Sequence, residues 1–263
     1  MNLSIGSVFH TDKPIIGMLH LNGFTPDRVH DWAKREIEQM YGNGVNAVLA
    51  EDYFGTLDDV EWALDYLHSQ YPDCVYGVNL LGDTERGFRL AKQYGAAFLQ
   101  MDSVCGHLRP GRHMKGHDKP NLDSKICDGD FAERLETLRT ECPVFLLGGV
   151  RFKYQPVHSG RSVGQDLMLG KQRCDAVVVT GAGTGISTEL EKIRLFREVL
   201  GDFPLIVGAG MTAENCREQL SISDGAIIGS WFKRDGITEA PVDPERVRCF
   251  MGIVKEVRET KKE

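Results

Sequence analysis

The chain has 263 residues, 41% of them hydrophobic and 26% charged, with Lys plus Arg at 31 against Asp plus Glu at 38 and a net charge of −7. These are the proportions of an ordinary globular protein, and the acidic balance speaks against a nucleic-acid partner, whose phosphates demand a basic surplus or stripe. No apolar run reaches the roughly 18 residues of a spanning helix, and the N-terminal stretch lacks a basic region followed by an apolar one, so neither a transmembrane segment nor a signal peptide is expected.

In chain order, short apolar runs alternate with helical patterns. Strands are predicted over Pro14–Leu21, Val45–Glu51, Cys74–Asn79, Ala97–Asp102, Pro143–Val150, Asp175–Thr180, Pro204–Gly208 and Gly225–Gly229. Each is nearly continuous in apolar character, as strands buried on both faces are. Helices are predicted between and after them. Asp27–Tyr41 carries an apolar stripe at Val29, Trp32, Ala33, Ile37 and Met40. Leu57–Gln70 follows, then Thr84–Tyr94 with Thr84 as its expected N-cap. The rest are Asp130–Thr140, Ser162–Gln172, Thr188–Leu200, Thr212–Leu220 and Pro244–Glu259, where Pro244 suits a first helical turn.

Strict alternation implies a parallel sheet. Eight units of about 33 residues match a (β/α)8 TIM barrel, read here as one domain over residues 1–263. A doubly wound sheet is the rival, but its phosphate loop comes early. Here the glycine-rich turns follow the sixth, seventh and eighth strands. The connection Ser103–Gly129 after the fourth strand is unusually long. It leaves a strand's carboxyl end, so it is expected over the barrel mouth.

Gly208-Ala-Gly210 and Gly229-Ser230 end the seventh and eighth strands. Paired turns there are the usual phosphate site of this fold, because glycine lets backbone N–H groups approach an anion. Gly183 and Gly185, after the sixth strand, supply a third wall, and Lys233 is expected to add charge. The plainer alternative is that tight βα turns simply need glycine. Thr180–Ser187 resembles a dinucleotide fingerprint but misses its glycines: Ile186 and Ser187 stand where they are needed, and no YxxxK follows. No cofactor is therefore expected.

Catalytic groups of this fold sit at the carboxyl ends of strands. Those positions hold His20, Glu51, Asn79, Asp102, Lys153 and Thr180. Glu51 and Asp102 are acid/base candidates, tunable by burial. Lys153 is an anion binder or an amine catalyst. His20, Asn79 and Thr180 are candidate substrate contacts. Structural roles compete with each: a cap or an Arg partner for the carboxylates, solvent for Lys153, core packing for His20. On the long loop, His107, His113 and His117, with Asp102 and Cys105 nearby, raise a divalent metal as an option. The glycines and proline there favour a solvated lid instead. The seven cysteines are odd in number and form no CxxC, which fits free thiols and a cytoplasmic location. Cys105 is the one worth testing as a nucleophile.

Several motifs carry a resemblance. They are Lys13-Pro-Ile-Ile-Gly-Met-Leu-His-Leu21, Ala50-Glu51-Asp52-Tyr-Phe-Gly55, Gly77-Val-Asn79-Leu, and Asp175-Ala-Val-Val-Val-Thr-Gly-Ala-Gly-Thr-Gly185. Val207-Gly-Ala-Gly-Met-Thr-Ala-Glu-Asn215, Asp224–Gly236 and Pro241-Val-Asp-Pro-Glu-Arg-Val247 complete the set. Together they resemble the BtpA/SgcQ family from residue 13 to about 253. The resemblance implies an aldolase-type TIM barrel related to phosphate-binding barrels. It supports His20, Glu51, Asn79, Lys153, Thr180 and the glycines as pocket residues. The chain departs from the family pattern at the fifth strand, where Gly148-Gly149-Val150 and Phe152-Lys153-Tyr154 replace an acid and a histidine but keep the lysine. It departs again at the long loop and at the turn holding Gly23 and Phe24.

Two functions stay open. One is an aldolase, lyase or isomerase acting on a small phosphorylated sugar or sugar-like compound. The other is a non-catalytic biogenesis or assembly factor that uses the barrel as a scaffold. A homo-oligomer is compatible with either.

Overall fold

The computed structural model describes residues 3–108, 126–127, 129–154 and 159–260. Eight parallel strands close into a barrel: β1 Ile15–Leu19, β2 Ala47–Glu51, β3 Val75–Asn79, β4 Phe98–Met101, β5 Phe145–Gly149, β6 Ala176–Val179, β7 Leu205–Val207 and β8 Gly225–Ile228. Each pairs with its chain neighbours, and β8 closes on β1 through Ile15↔Ala226 and Gly17↔Ile228. All eight predicted strands are present, shorter by a residue or more at their ends. Around them run α1 Val29–Gly42, α2 Leu57–Gln70, α3 Thr84–Tyr94, α4 Phe131–Glu141, α5 Val163–Arg173, α6 Leu190–Leu200, α7 Cys216–Ile222 and α8 Pro244–Thr260. Helix α7 begins four residues later than the sequence pattern implied. The residues of 103–129 that are described include two short antiparallel strands, His107–Leu108 against Ile126–Cys127.

Local chemistry explains the helix starts. Thr56 and Asp59 form a capping box on α2, and Ser162 with Gln165 does the same on α5. The expected N-cap of α3 is corrected. Asp83 caps it, its carboxylate accepting the Arg86 N–H at 3.0 Å, and Thr84 is the first helical residue. A carboxylate one position earlier also suits the positive end of the helix dipole.

The outer core lies between barrel and helices. Ile37 and Met40 of α1, Leu64 of α2, Phe196 of α6 and Phe250 of α8 are all buried there. The inner core alternates along the strands with period two. Ile16 and Met18, Ala47 and Leu49, Phe145 and Leu147, and Ala176 and Val178 face inward. A short helix before the barrel, Ile5–Phe9, was not foreseen. It opens with a capping box between Ser4 and Ser7, and it brings Phe9 to 5.1 Å from Phe98 and 5.9 Å from Phe145. Phe98 and Phe145 begin their strands, so this helix closes the amino-terminal end of the barrel.

A repeated device ties that end together. Asn46 accepts from Ile15 N, Asp175 from Leu146 N and Asp224 from Leu205 N, at 2.8–2.9 Å. Each is gripped by an arginine from a flanking helix: Arg258, Arg139 and Arg197. The side chain just before β2, β6 and β8 thus supplies the acceptor that an N–H at the start of the preceding strand needs.

Candidate active site at the barrel mouth

The inward period-two positions continue to the carboxyl ends of the strands, where the residues become polar. His20, Glu51, Asn79 and Thr180 are all buried there. Asn79 donates through Nδ2 to Glu51 Oε1 at 2.8 Å and to Asp102 Oδ1 at 3.3 Å. Gln100 also donates to Asp102 Oδ1, at 3.2 Å. One amide therefore bridges two carboxyl groups. Burial pushes Glu51 up to about 8, and the charges of Asp102 and Asp52 add to the rise, while Lys153 and the Asn79 hydrogen bond oppose it. Asp102 is raised by burial against Lys153, Gln100 and Asn79. At neutral pH the site holds a protonated carboxyl beside a second one.

Lys153 projects from the loop after β5. Its Nζ donates to Thr184 Oγ1 at 3.0 Å, and its backbone N–H donates to Thr180 Oγ1 at 2.6 Å. Tyr53 donates to the same Thr184 hydroxyl at 3.2 Å, and the Thr184 N–H donates to Tyr154 OH at 2.8 Å. The loop is fixed from behind by Asp166, 1% exposed, which pairs with Arg151 at 2.7 Å and Arg161 at 2.6 Å. Arg151 and Tyr154 take left-handed backbone conformations, φ 49° and 59°. That conformation costs about 1–2 kcal/mol for a side-chain-bearing residue, and the Asp166 clamp holds it.

A cavity of about 240 Å³ opens beside Lys153. Its inner end is lined by Met18, His20 and Lys153, and its walls by Gly185, Gly208, Gly210, Gly229 and Ser230. Gly210 has φ +63°, and a Cβ there would lie 2.2 Å from the Ile186 backbone, so only glycine fits. The Gly208 N–H is spent in the sheet on Val179 O at 2.8 Å. Ala209, Gly210 and Ser230 keep backbone N–H groups that take no partner among the described residues. His20 is held well below its usual range by burial and by the positive charges of Lys233 and Lys153, so it is neutral. Its Nδ1 is buried and makes no hydrogen bond among the described residues.

The predicted site residues therefore separate. His20, Lys153, Gly185, Gly208, Gly210, Gly229 and Ser230 share the cavity. Glu51, Asn79 and Asp102 form the carboxyl cluster, which the Lys153 charge reaches. Thr180 is fully buried and holds the Lys153 backbone instead of facing the cavity. Gly183 packs against Tyr154, where a Cβ would meet its hydroxyl at 3.0 Å. Lys233 is a correction. It is 1% exposed and pairs with Glu36 of α1 at 2.6 Å, outside the cavity wall. The short 3-10 turn Ser230–Phe232 carries it off the strand axis and under α1. Cys105 is corrected too. It is buried, its Sγ lies 3.4 Å from Asp166 O, and burial pushes its thiol up to about 12, so it is no nucleophile.

Among the described residues, no three His, Cys, Asp or Glu side chains gather as metal ligands. His113, His117 and the side chain of His107 lie outside the described residues. Within them, no helix is long and apolar enough to cross a membrane.

Sequence reading missed four cavity or network residues: Tyr53, Thr184, Trp231 and Arg246. Arg246 lines the outer end of the cavity from the first turn of α8. Arg246 stands in the motif Pro241–Val247, but nothing in that motif points its side chain at Trp231 in the turn after β8.

The BtpA family model matches residues 73–256. Over 94% of its length the chain is 29% identical to an uncharacterized protein of Thermococcus kodakarensis, covering 97% of that protein. It is 26% identical to the putative sgc region protein SgcQ of Escherichia coli (95% of this chain, 97% of that one). It is 22% identical to the photosystem I biogenesis protein BtpA of Synechocystis (97% and 92%). Among solved structures, the native KDPGal structure superposes with a TM-score of 0.62 at 16% identity, over 95% of this chain and 98% of that one. Phosphoribosyl anthranilate isomerase from Thermococcus kodakaraensis gives 0.57 at 14%, over 92% and 99%. At these identities the structures speak for the TIM-barrel fold alone. With the family model matched across most of the barrel and both SgcQ and BtpA aligned nearly end to end, the chain belongs to the BtpA family.

Proposed function

We propose that the protein is an enzyme of aldolase, lyase or isomerase type that acts on a small phosphorylated sugar or sugar-like compound. The observation that carries this is Lys153. It lines a cavity whose other wall has backbone N–H groups without partners among the described residues, and its charge reaches the buried Glu51 and the half-buried Asp102, bridged by Asn79. The glycine turns suit a phosphate. With the phosphate there, Lys153 faces the first carbons of a short substrate, where it stabilises a developing oxyanion. Glu51, protonated at neutral pH, donates its proton to that oxygen and, once ionised by doing so, can receive one from the neighbouring carbon. Asp102 is its partner through Asn79. A cavity of about 240 Å³ limits the substrate to a few carbons beyond the phosphate.

The geometry favours the enzyme reading over a pure scaffold: a buried carboxyl, bridged by Asn79 to a second one, lies within reach of the charge of a lysine that lines an open cavity. The test is a thermal-shift screen of the protein against inorganic phosphate and a panel of sugar phosphates, with and without divalent metal. A ligand at 100 times its Kd stabilises by about 2.7 kcal/mol. A sugar phosphate that stabilises well beyond inorganic phosphate supports the proposal. No response to any phosphorylated compound contradicts it and leaves the scaffold reading.

A further inference from the structure

The cavity has an outer end that the proposed chemistry does not use. It lies between the loops after β7 and β8 and the first turn of α8, and its lining includes Trp231, Asp235 and Arg246. Arg246 is held there unusually firmly for a half-buried arginine. Its guanidinium lies 3.8 Å from the centroid of the Trp231 ring, and its Nε donates to Trp231 O at 2.7 Å. Cation–π stacking and the backbone tether together fix the plane of the group.

What they leave open matters most. Nε is consumed, but among the described residues neither Nη donates a hydrogen bond and no carboxylate forms an ion pair with Arg246. The nearby Trp231 indole N–H is buried and without a partner as well. A desolvated donor left unpaired costs about 1–3 kcal/mol, so an acceptor belongs at this end. Lys153 and Arg246 bring two cations to the lining against the single carboxylate of Asp235, which is exposed. The lining itself is net positive in a chain whose net charge is −7, and the exposed Glu214 carboxylate is the further charge that Arg246 feels from outside it.

We infer that Arg246 is the side-chain anchor of the phosphate, supplying the charge that Lys233 spends on Glu36. The inference rests on the phosphate-site reading above and names the residue that makes the site selective. With both Nη groups presented in one plane, Arg246 grips two oxygens of a phosphomonoester dianion, while the Gly210 and Ser230 N–H groups take the others. Trp231 acts as its positioning residue. A lysine cannot reproduce this, because an ammonium offers neither the fork nor the stacking plane.

The test is calorimetric titration with inorganic phosphate and with methyl phosphate, on wild type, Arg246→Met and Arg246→Lys. Circular dichroism and melting temperature check that each variant folds. Wild type binds both probes, more tightly as pH rises through each probe's second ionisation, near 6 for the methyl ester and higher for inorganic phosphate. Arg246→Met is expected to weaken both at least tenfold, and Arg246→Lys to recover little of that loss. Folded Arg246→Met binding as tightly as wild type overturns the assignment and leaves the phosphate site standing on its backbone donors. Full recovery by lysine overturns the bidentate grip. Wild type that binds neither probe overturns the phosphate reading itself, and this inference with it.

Discussion

The two sides of the barrel mouth solve different problems with different materials. On the side of β2, β3 and β4, the lining is made of polar side chains: Glu51 and Asn79 are buried, Asp102 is half-buried, and Asn79 donates to both carboxyl groups. On the side of β6, β7 and β8, the side chains are withdrawn, and glycine leaves the backbone itself as the lining. The first side stores a proton, because burial makes a carboxylate costly. The second suits a negative charge, because bare N–H groups make one cheap. Lys153 lies on the cavity wall and its charge reaches both carboxyl groups. The difference teaches that charge near a mouth is not charge in a site. Lys233, one residue past the eighth strand's 3-10 turn, belongs to neither side. It is structural.

The largest expected effect breaks that third role. Lys233→Met leaves Glu36 buried without its cation, and Glu36 also accepts the Val242 N–H at 3.1 Å. Removing one member of such a pair costs about 3–5 kcal/mol. Urea unfolding measures it, and phosphate affinity of the still-folded fraction should be unchanged. A large loss of affinity with little loss of stability would put Lys233 back in the site.

Next comes Glu51→Gln, which keeps the shape of the carboxyl side and removes its proton chemistry. Turnover of the sugar phosphate selected by thermal shift is expected to fall by about 10²–10⁴. The variant also changes the stability profile. In the folded chain Glu51 keeps its proton up to about 8, against an ordinary value of 4.5. Between those values the folded state binds more protons than the unfolded one, so stability falls as pH rises across that window, by at most about 1.4 kcal/mol per pH unit. Glu51→Gln should flatten that slope, read as melting temperature from pH 5 to 8. An unchanged slope would mean Glu51 is already ionised.

Lys153→Met is expected to cost about 10²–10³ in turnover, with the fold kept by the Asp166 clamp. A smaller effect falls on binding, since the glycine side keeps its backbone donors. Equal activity in wild type and variant would remove Lys153 from the chemistry. The smallest effect is local: Asp83→Ala should cost about 1 kcal/mol by unfolding, and Thr84→Ala little, because Asp83 is the cap.

Much of this was legible in the sequence, for physical reasons that differ by region. Strands buried on both faces read as continuous apolar runs, so all eight stood out, and their carboxyl ends marked His20, Glu51, Asn79 and Asp102 as residues of the mouth. Glycine turns are legible because few other needs place Gly208, Gly210 and Gly229 at strand ends. What failed was direction over short irregular segments. The five-residue helix Ile5–Phe9 is too short to show a period. Thr180 sits one step past β6 and Lys233 one step past the 3-10 turn that follows β8, where a single turn decides whether a side chain enters the cavity. Arg246 reaches the site from the next helix, a tertiary contact no local pattern encodes. The fifth-strand departure has a reason of its own. A Cβ on Gly149 would lie 2.2 Å from Asp102 O, and Val104 N donates to Gly149 O at 3.1 Å. The path that brings Asp102 to the carboxyl cluster leaves no room for a side chain at 149.

The most direct test of the division of the mouth is a crystal structure of the protein grown with a sugar phosphate or, failing that, inorganic phosphate. The expected result is a phosphate seated on the Gly210 and Ser230 turns within reach of Arg246, with the carbon chain pointing past Lys153 toward Glu51. A phosphate found on Lys153 with the glycine turns empty, or no anion in the cavity at all, would contradict the account.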